Sequence, residues 1–336
     1  MPRSPSGDPA PSVSDPPATL WNTYEMTKLK TLEITPQSPT IGAEISGVDL
    51  SAKLDSDTIA TIRQALLEWK VLFFRDQDIT TDQHLAFSRQ FGELEIHPFA
   101  PHKVGYPEVL AITHDESAPG LENGWHSDVT WRTEPSLGSV LRLIEGPEVG
   151  GDTLFADMYA AFEGLPDDVK ERVEGRTARH DFVRFKKSMR KEGATEAEVA
   201  EMEKRYPNPH HPIIRTHPET GRKGIYVNSA FTMEIDDMNP TESAELLQLL
   251  FRQASYPEYQ VRLRWEPNTI AFWDNRAVQH YATSDYWPQV RRVERVTVIG
   301  DAPYYDAAQE PNELPTRPFK GQLELNRRRI DWRHSA

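Results

Sequence analysis

The sequence has no cysteine. That absence excludes disulfides, thiolate metal sites, iron–sulfur clusters and a cysteine nucleophile. It also fits a reducing compartment, and a cytoplasmic location is the expectation. Any metal must then be held by His, Asp, Glu or Tyr, which narrows the choice to hard or borderline cations. Positive charge is the second deficit: 38 Lys and Arg stand against 52 Asp and Glu, a formal net charge of −14. Duplex binding needs a basic surface that displaces counterions from phosphates, so no nucleic acid is expected as a partner. A local basic cavity for a small anion stays open, because net charge describes a surface and not one pocket. Long hydrophobic runs are missing too. Val71-Leu72-Phe73-Phe74 is typical of the longest, far short of the ~18 residues of a membrane span, so no membrane partner is expected. A glycine-rich phosphate loop, regular βαβ units and internal repeats are likewise absent.

What is present suits one large domain: 336 residues, 38% hydrophobic and 10% aromatic. Residues 1–27, rich in Pro, Ser and Asp and without an apolar signal-peptide core, read as a disordered extension. Residues 28–306 read as the single folded domain and 307–336 as a tail. Leu29, Leu32 and Ile34 alternate as in a strand. Ile59, Ile62, Leu66 and Trp69 recur at helical spacing from about Ser56, and Val71–Phe74 reads as a short buried strand. Thr81 is expected to cap a helix carrying Leu85, Phe87 and Phe91.

From Val109 the pattern changes to short strands: Val109–Ile112, Ser139–Ile144, Thr153–Ala156, Ile213–Thr216, Ile225–Val227, Val261–Trp265, Thr269–Trp273 and Val293–Ile299. A polar helical insert (about Lys186–Asn208) and a helix opened by Asn239-Pro240 interrupt them. The expectation is a mainly β fold with inserted helices, an antiparallel sandwich or double-stranded β-helix (jelly roll).

The segment Trp125-His126-Ser127-Asp128 carries the chemistry. Side chains at i and i+2 share a face of an extended segment, so His126 and Asp128 can reach one ion together. A His-x-Asp pair alone is weak, since a hydrogen-bonded surface pair reads the same way. A third ligand must come from afar, and His280, following the apparent strand and turn of Phe272-Trp273-Asp274-Asn275, is the candidate. Two imidazoles and one carboxylate leave three adjacent positions open on an octahedral iron(II), yet a hydrolytic zinc site could use the same set. His210, His211 and His217 sit beside prolines or in a turn and read as structural or solvated. Arg291 and Arg295, four apart, share a face if extended and could hold a carboxylate or sulfonate. An edge-strand salt-bridge ladder with Glu294 is the alternative.

The chain resembles the taurine/2-oxoglutarate dioxygenase family, which includes alkylsulfatase and phenoxyalkanoate dioxygenases. The likeness runs from about Ile41 to Asp301. It is carried by Ile41–Leu50, Phe91-Gly92-Glu93-Leu94, Trp125–Thr130, Gly150-Gly151-Asp152-Thr153-Leu154, Arg215–Gly221 and Trp273-Asp274-Asn275-Arg276. The resemblance implies iron(II) on His126, Asp128 and His280, with 2-oxoglutarate and O2 as cosubstrates. It implies that Thr153 and Arg291 hold the distal carboxylate of 2-oxoglutarate, and that His97 and Arg295 bind a small anionic substrate. Two positions depart from the family's taurine pocket. Ala100 stands where a tyrosine is usual, with Phe99 adjacent. Glu122 stands where an asparagine is usual, so Asn123, one position off, becomes the candidate.

The implied reaction hydroxylates the carbon beside the heteroatom of an organosulfonate, releasing sulfite and an aldehyde. A sulfate ester or an aryloxyalkanoate is the alternative substrate, and a non-catalytic jelly-roll binding protein the alternative of another class. Trp125, Trp131, Phe182 and Trp273 are candidates for a dry wall near the metal. The tail, with Arg327-Arg328-Arg329, either packs on a second subunit or is solvated, and a homo-oligomer is the expectation.

Overall fold

A computed structural model describes residues 32–120 and 122–312 of the chain. The expected extension (1–27), the strand residue Leu29 and positions 313–336 of the expected tail lie outside the described residues.

Two short strands, β1 (Glu33–Pro36) and β2 (Ala43–Ser46), lead into α1 (Ser56–Trp69) and β3 (Val71–Phe74). The Asp55 carboxylate accepts from the Thr58 amide and starts α1, and Lys70, in the left-handed region at φ 65°, ends it. The next helix, α2 (Thr81–Ser88), is capped by Thr80 in a reciprocal box with Gln83. The cap is thus one residue earlier than expected, because Gln83 lies three positions after Thr80 and can return its hydrogen bond.

Then follow β4 (His102–Lys103), β5 (Tyr106–His114), β6 (Ser136–Glu145), β7 (Thr153–Asp157), α3 (Met158–Glu163), α4 (Asp167–Val173) and β8 (Thr177–His180). The polar insert forms α5 (Val183–Lys191) and α6 (Glu196–Arg205). After it come β9 (His210–Pro212), β10 (Ile214–Thr216), β11 (Lys223–Ile225), β12 (Thr232–Ile235) and α7 (Pro240–Gln253), which Asn239 caps as expected. The last strands are β13 (Gln260–Leu263), β14 (Ile270–Asp274), β15 (Val278–Ala282) and β16 (Arg291–Ile299).

The large sheet has the order β1-β2-β3-β14-β6-β16-β5-β4, and a smaller sheet, β13-β7-β15, faces it. Between them lie Phe73, Leu141, Trp273 and Val293 from one sheet and Phe155, Val261, Leu263 and Val278 from the other. The outer face of the large sheet is covered by α1 and α2 through Leu66, Trp69 and Phe87, and by Phe91, which was expected on α2 but lies just past its end at Ser88. Strands buried on both faces lose polar alternation, which is why Val71–Phe74 is apolar throughout.

The architecture is the expected jelly roll with one departure. β2 and β3 pair in parallel across α1, a single crossover unit inside an otherwise antiparallel sandwich. His210 and His211, expected in a loop, lie in β9. Among the described residues no helix is long and apolar enough to cross a membrane.

Candidate metal centre

His126 stands beside the centre of β15. Its amide donates to the His280 carbonyl (3.1 Å) and the His280 amide donates to the His126 carbonyl (2.8 Å). Residues paired in this way project to the same face of a sheet, and the two imidazole centroids are 4.2 Å apart. Two residues on, Asp128 points the same way. Its Oδ1 lies 4.0 Å from His126 Nε2 and 3.9 Å from His280 Nε2. Among the described residues these three form the one group able to hold a metal ion, their ligating atoms lying within 4.8 Å of each other.

The protonation states suit a metal. Burial holds both imidazoles neutral, His280 at about 3 and His126 below its ordinary value, leaving lone pairs available. Burial opposes ionisation of Asp128, but the Arg295 guanidinium and the hydrogen bond from Ser139 hold the carboxyl below the usual range. Arg295 Nη1 donates to Asp128 Oδ1 at 2.6 Å. His126 Nδ1 donates to the Gly124 carbonyl at 2.7 Å, so its Nε2 is the atom left for an ion.

An open cavity of about 600 Å³ starts at His126 and His280 and runs to Thr153 and Arg291. Its walls include Leu141, Trp273, Val293 and Tyr286, and Arg295 lines it as well. β16 explains this arrangement. It lies between β5 and β6, so Arg291, Val293 and Arg295 face inward together. Glu294 faces the other way, to Lys103 and to Arg142 at 3.3 Å. The salt-bridge ladder and the inward arginines thus coexist on opposite faces of an internal strand.

Arg291 is 5% exposed and makes no ion pair among the described residues, and its Nε has no hydrogen-bond partner. Burial lowers its pKa. Thr153 Oγ1 accepts from Trp265 Nε1 at 3.0 Å, which leaves the hydroxyl proton to be donated elsewhere. The Trp265 ring also lies 5.8 Å from the Arg291 guanidinium. Trp265, expected at the end of a strand, lies two residues past β13.

His97 is buried and lies outside the cavity lining. Its Nδ1 accepts from the amides of Phe99 and Ala100 (both 3.1 Å), so Nε2 carries the proton. Burial, then Arg295 and Arg132, push it down to about 3. Asn123 is exposed and does not line the cavity. Glu122 does, 3.4 Å from His114, whose other nitrogen meets Tyr286 Oη at 2.9 Å.

Of the four aromatic candidates, Trp273 lies against His280 with centroids 4.8 Å apart. Trp131 and Phe182 join Phe99 and Phe185 in a separate aromatic group whose member Phe231 is 6.4 Å from His126. Trp125 packs on another core. His211 and His217 are buried and structural, His217 pairing with Asp274 at 3.1 Å.

Residues 33–297 match the family described as taurine catabolism dioxygenase TauD, TfdA. An alkylsulfatase of Acinetobacter baylyi is 36% identical over 266 residues, covering 78% of this chain and 83% of its own. An alpha-ketoglutarate-dependent sulfate ester dioxygenase of Pseudomonas putida is 35% identical, covering 81% and 91%. The crystal structure of a taurine dioxygenase from Burkholderia xenovorans superposes with a TM-score of 0.70 at 38% identity, over 83% of this chain and 94% of that one. That of AAD-2 in complex with Mn(II) and N-oxalylglycine superposes at 0.69 with 29% identity, over 81% and 99%. With two thirds and more of its length matched, by sequence and by fold, the chain belongs to the TauD, TfdA family and is a dioxygenase.

Proposed function

We propose that this dioxygenase uses iron(II) held by His126, Asp128 and His280, with 2-oxoglutarate (alpha-ketoglutarate) as cosubstrate, to hydroxylate a small organosulfonate. The observation that carries this reading is one cavity lined by both imidazoles of the triad and by an unpaired buried guanidinium, Arg291. A buried cation without a counter-ion is a site for an anion, and a dicarboxylate spanning the cavity would supply one. The donor set suits iron(II): two neutral imidazoles and one carboxylate. A hydrolytic zinc site would use the same triad but would leave Arg291 and the Thr153 hydroxyl without a role.

When bound, iron(II), 2-oxoglutarate and dioxygen supply the oxidising power, with succinate and carbon dioxide as co-products. The protein's own residues orient and shield. Arg291 and Thr153 anchor the distal carboxylate, and Trp265 keeps the Thr153 proton turned away from itself. Arg295 and the His97 Nε2–H bind the anionic head, while Trp273 and Leu141 keep water from the reacting carbon. Hydroxylation beside the heteroatom makes an adduct that collapses to sulfite and an aldehyde.

A sulfate ester with an apolar tail is the second reading. Phe231, 6.4 Å from His126, continues through Phe185 to Phe99 in an apolar aromatic group beside the triad, and relatives carry the names alkylsulfatase and sulfate ester dioxygenase.

Anaerobic titration with iron(II) and 2-oxoglutarate tests the centre: a weak visible charge-transfer band is expected, and no band rejects it. Succinate release across sulfonates, alkyl sulfates and aryloxyacetates then identifies the substrate.

A further inference from the structure

We infer that Asn275 is a positioning residue that holds Asp128 as a one-oxygen ligand; this rests on the triad being the metal site. Asn275 follows β14 in a tight turn and is 1% exposed. Its Oδ1 accepts from the Asp128 amide (3.1 Å) and from Trp273 Nε1 (2.9 Å). Both partners can only donate, which fixes the orientation of the carboxamide and turns Nδ2 toward the Asp128 carboxylate. Nδ2 lies 3.4 Å from Asp128 Oδ2, 2.9 Å from Ser136 Oγ and 3.2 Å from Ser139 Oγ. Ser139 Oγ in turn donates to Asp128 Oδ2 at 2.8 Å. The two oxygens of Asp128 therefore differ. Oδ2 is tied to Ser139 and Asn275, whereas Oδ1, which takes Arg295 Nη1 at 2.6 Å, is the oxygen nearest both imidazoles.

The backbone needs the same support. Val129, next to the ligand, has φ 48°, a left-handed conformation that a β-branched residue resists. Such strain persists only where its surroundings hold it. Asn275 grips the turn before Val129, through the Asp128 amide. On the other side, Asn228 Nδ2 and His180 Nδ1 both meet Thr130 Oγ1 at 3.0 Å. One carboxamide thus links the strained turn, the idle carboxylate oxygen and the indole that lies against His280. A carboxylate that turned both oxygens to an ion would fill one of the positions that a chelating cosubstrate and dioxygen require.

The test uses the full-length chain, Mn(II) alone, and the variants Asn275→Asp and Ser139→Ala. Asn275→Asp keeps an acceptor for the Asp128 amide and Trp273 but replaces the donor that faces Oδ2. Three quantities are read: Mn(II) affinity, the number of coordinated waters from proton relaxation, and the melting temperature without metal. Each variant is expected to bind Mn(II) about 10- to 100-fold more weakly, as loss of a group that orients a ligand typically does. Asn275→Asp is also expected to lose one coordinated water as Oδ2 swings to the ion. Unchanged affinity, or weaker affinity with an unchanged water count, overturns the inference and leaves Asn275 as an ordinary fold contact. A wild-type chain that takes up no Mn(II) rejects the site itself, and the role of Asn275 with it.

Discussion

Arg291→Met separates binding from stability, because the two effects have opposite signs. The wild-type guanidinium is buried against the Trp265 ring with no ion pair among the described residues. Methionine keeps most of the stem and removes the unpaired charge. Replacing buried ionic groups by apolar ones of similar volume stabilises proteins by about 1–4 kcal/mol in favourable cases. The metal-free, ligand-free variant should therefore melt at or above the wild-type temperature, by a few degrees. Cosubstrate binding should change the other way. Removing one partner of a buried, hydrogen-bonded charge pair costs about 2–5 kcal/mol, or roughly 30- to several-thousand-fold in Kd. At a ligand concentration of 100 Kd the wild type gains about 2.7 kcal/mol of stability, and a hundredfold weaker variant gains about 0.4. Thermal melts with Mn(II), with and without 2-oxoglutarate, measure both effects. A variant that is much less stable alone yet keeps the full 2-oxoglutarate shift would refute the assignment of Arg291.

Three further outcomes are expected. Arg295→Gln should raise the KM for the prime substrate about 30-fold or more while changing that for 2-oxoglutarate little; the reverse split in steady-state succinate assays would show the arginine roles exchanged. Phe185→Ala should weaken binding of long-chain alkyl sulfates by about tenfold and leave short sulfonates nearly unaffected, since about 1–3 kcal/mol follows burial of an apolar side chain; equal losses on both would deny the aromatic wall a part in selectivity. The metal-free protein should lose stability below pH 6.5. His84 and His97 are pushed down to about 3 and His211 to about 4, mainly by burial. Between those values and 6.5 the unfolded chain binds more protons, so this stability is present above 6.5 and lost as pH falls. Each group contributes up to about 1.4 kcal/mol per pH unit, and buried Glu95, raised by burial, works in the opposite sense. Denaturant unfolding at pH 7, 6 and 5 measures the slope, and constant stability would contradict it.

Much of this architecture was legible because periodicity survives burial on one face. The α1 stripe of Ile62, Leu66 and Trp69 and the Asn239-Pro240 helix start are local signals, and the structure carries both. The His-x-Asp spacing announced a shared face but not what lies opposite. The pairing of His126 with His280 is a tertiary contact that no window of sequence contains. Short β8, β9 and β12 were unread for a similar reason, since three or four residues carry too little pattern. Asn123 was the natural substitute for a missing asparagine, yet the chain turns Glu122 to the cavity instead. Asn275 stood in a recognised motif with no role, because its partners, Asp128 and Ser139, are distant in sequence.

The bond from the Asp128 amide to Asn275 spans 147 residues of chain, and that from Ser127 Oγ to the Val278 carbonyl spans 151. Joining segments so far apart is a late event, since loop-closure entropy must be met before such contacts give anything back. A nascent or partly folded chain therefore presents His126 and Asp128 without His280, and a two-ligand fragment is a poor trap for a divalent ion. On the proposed triad, metal uptake therefore follows that long-range pairing and waits for the two segments to meet.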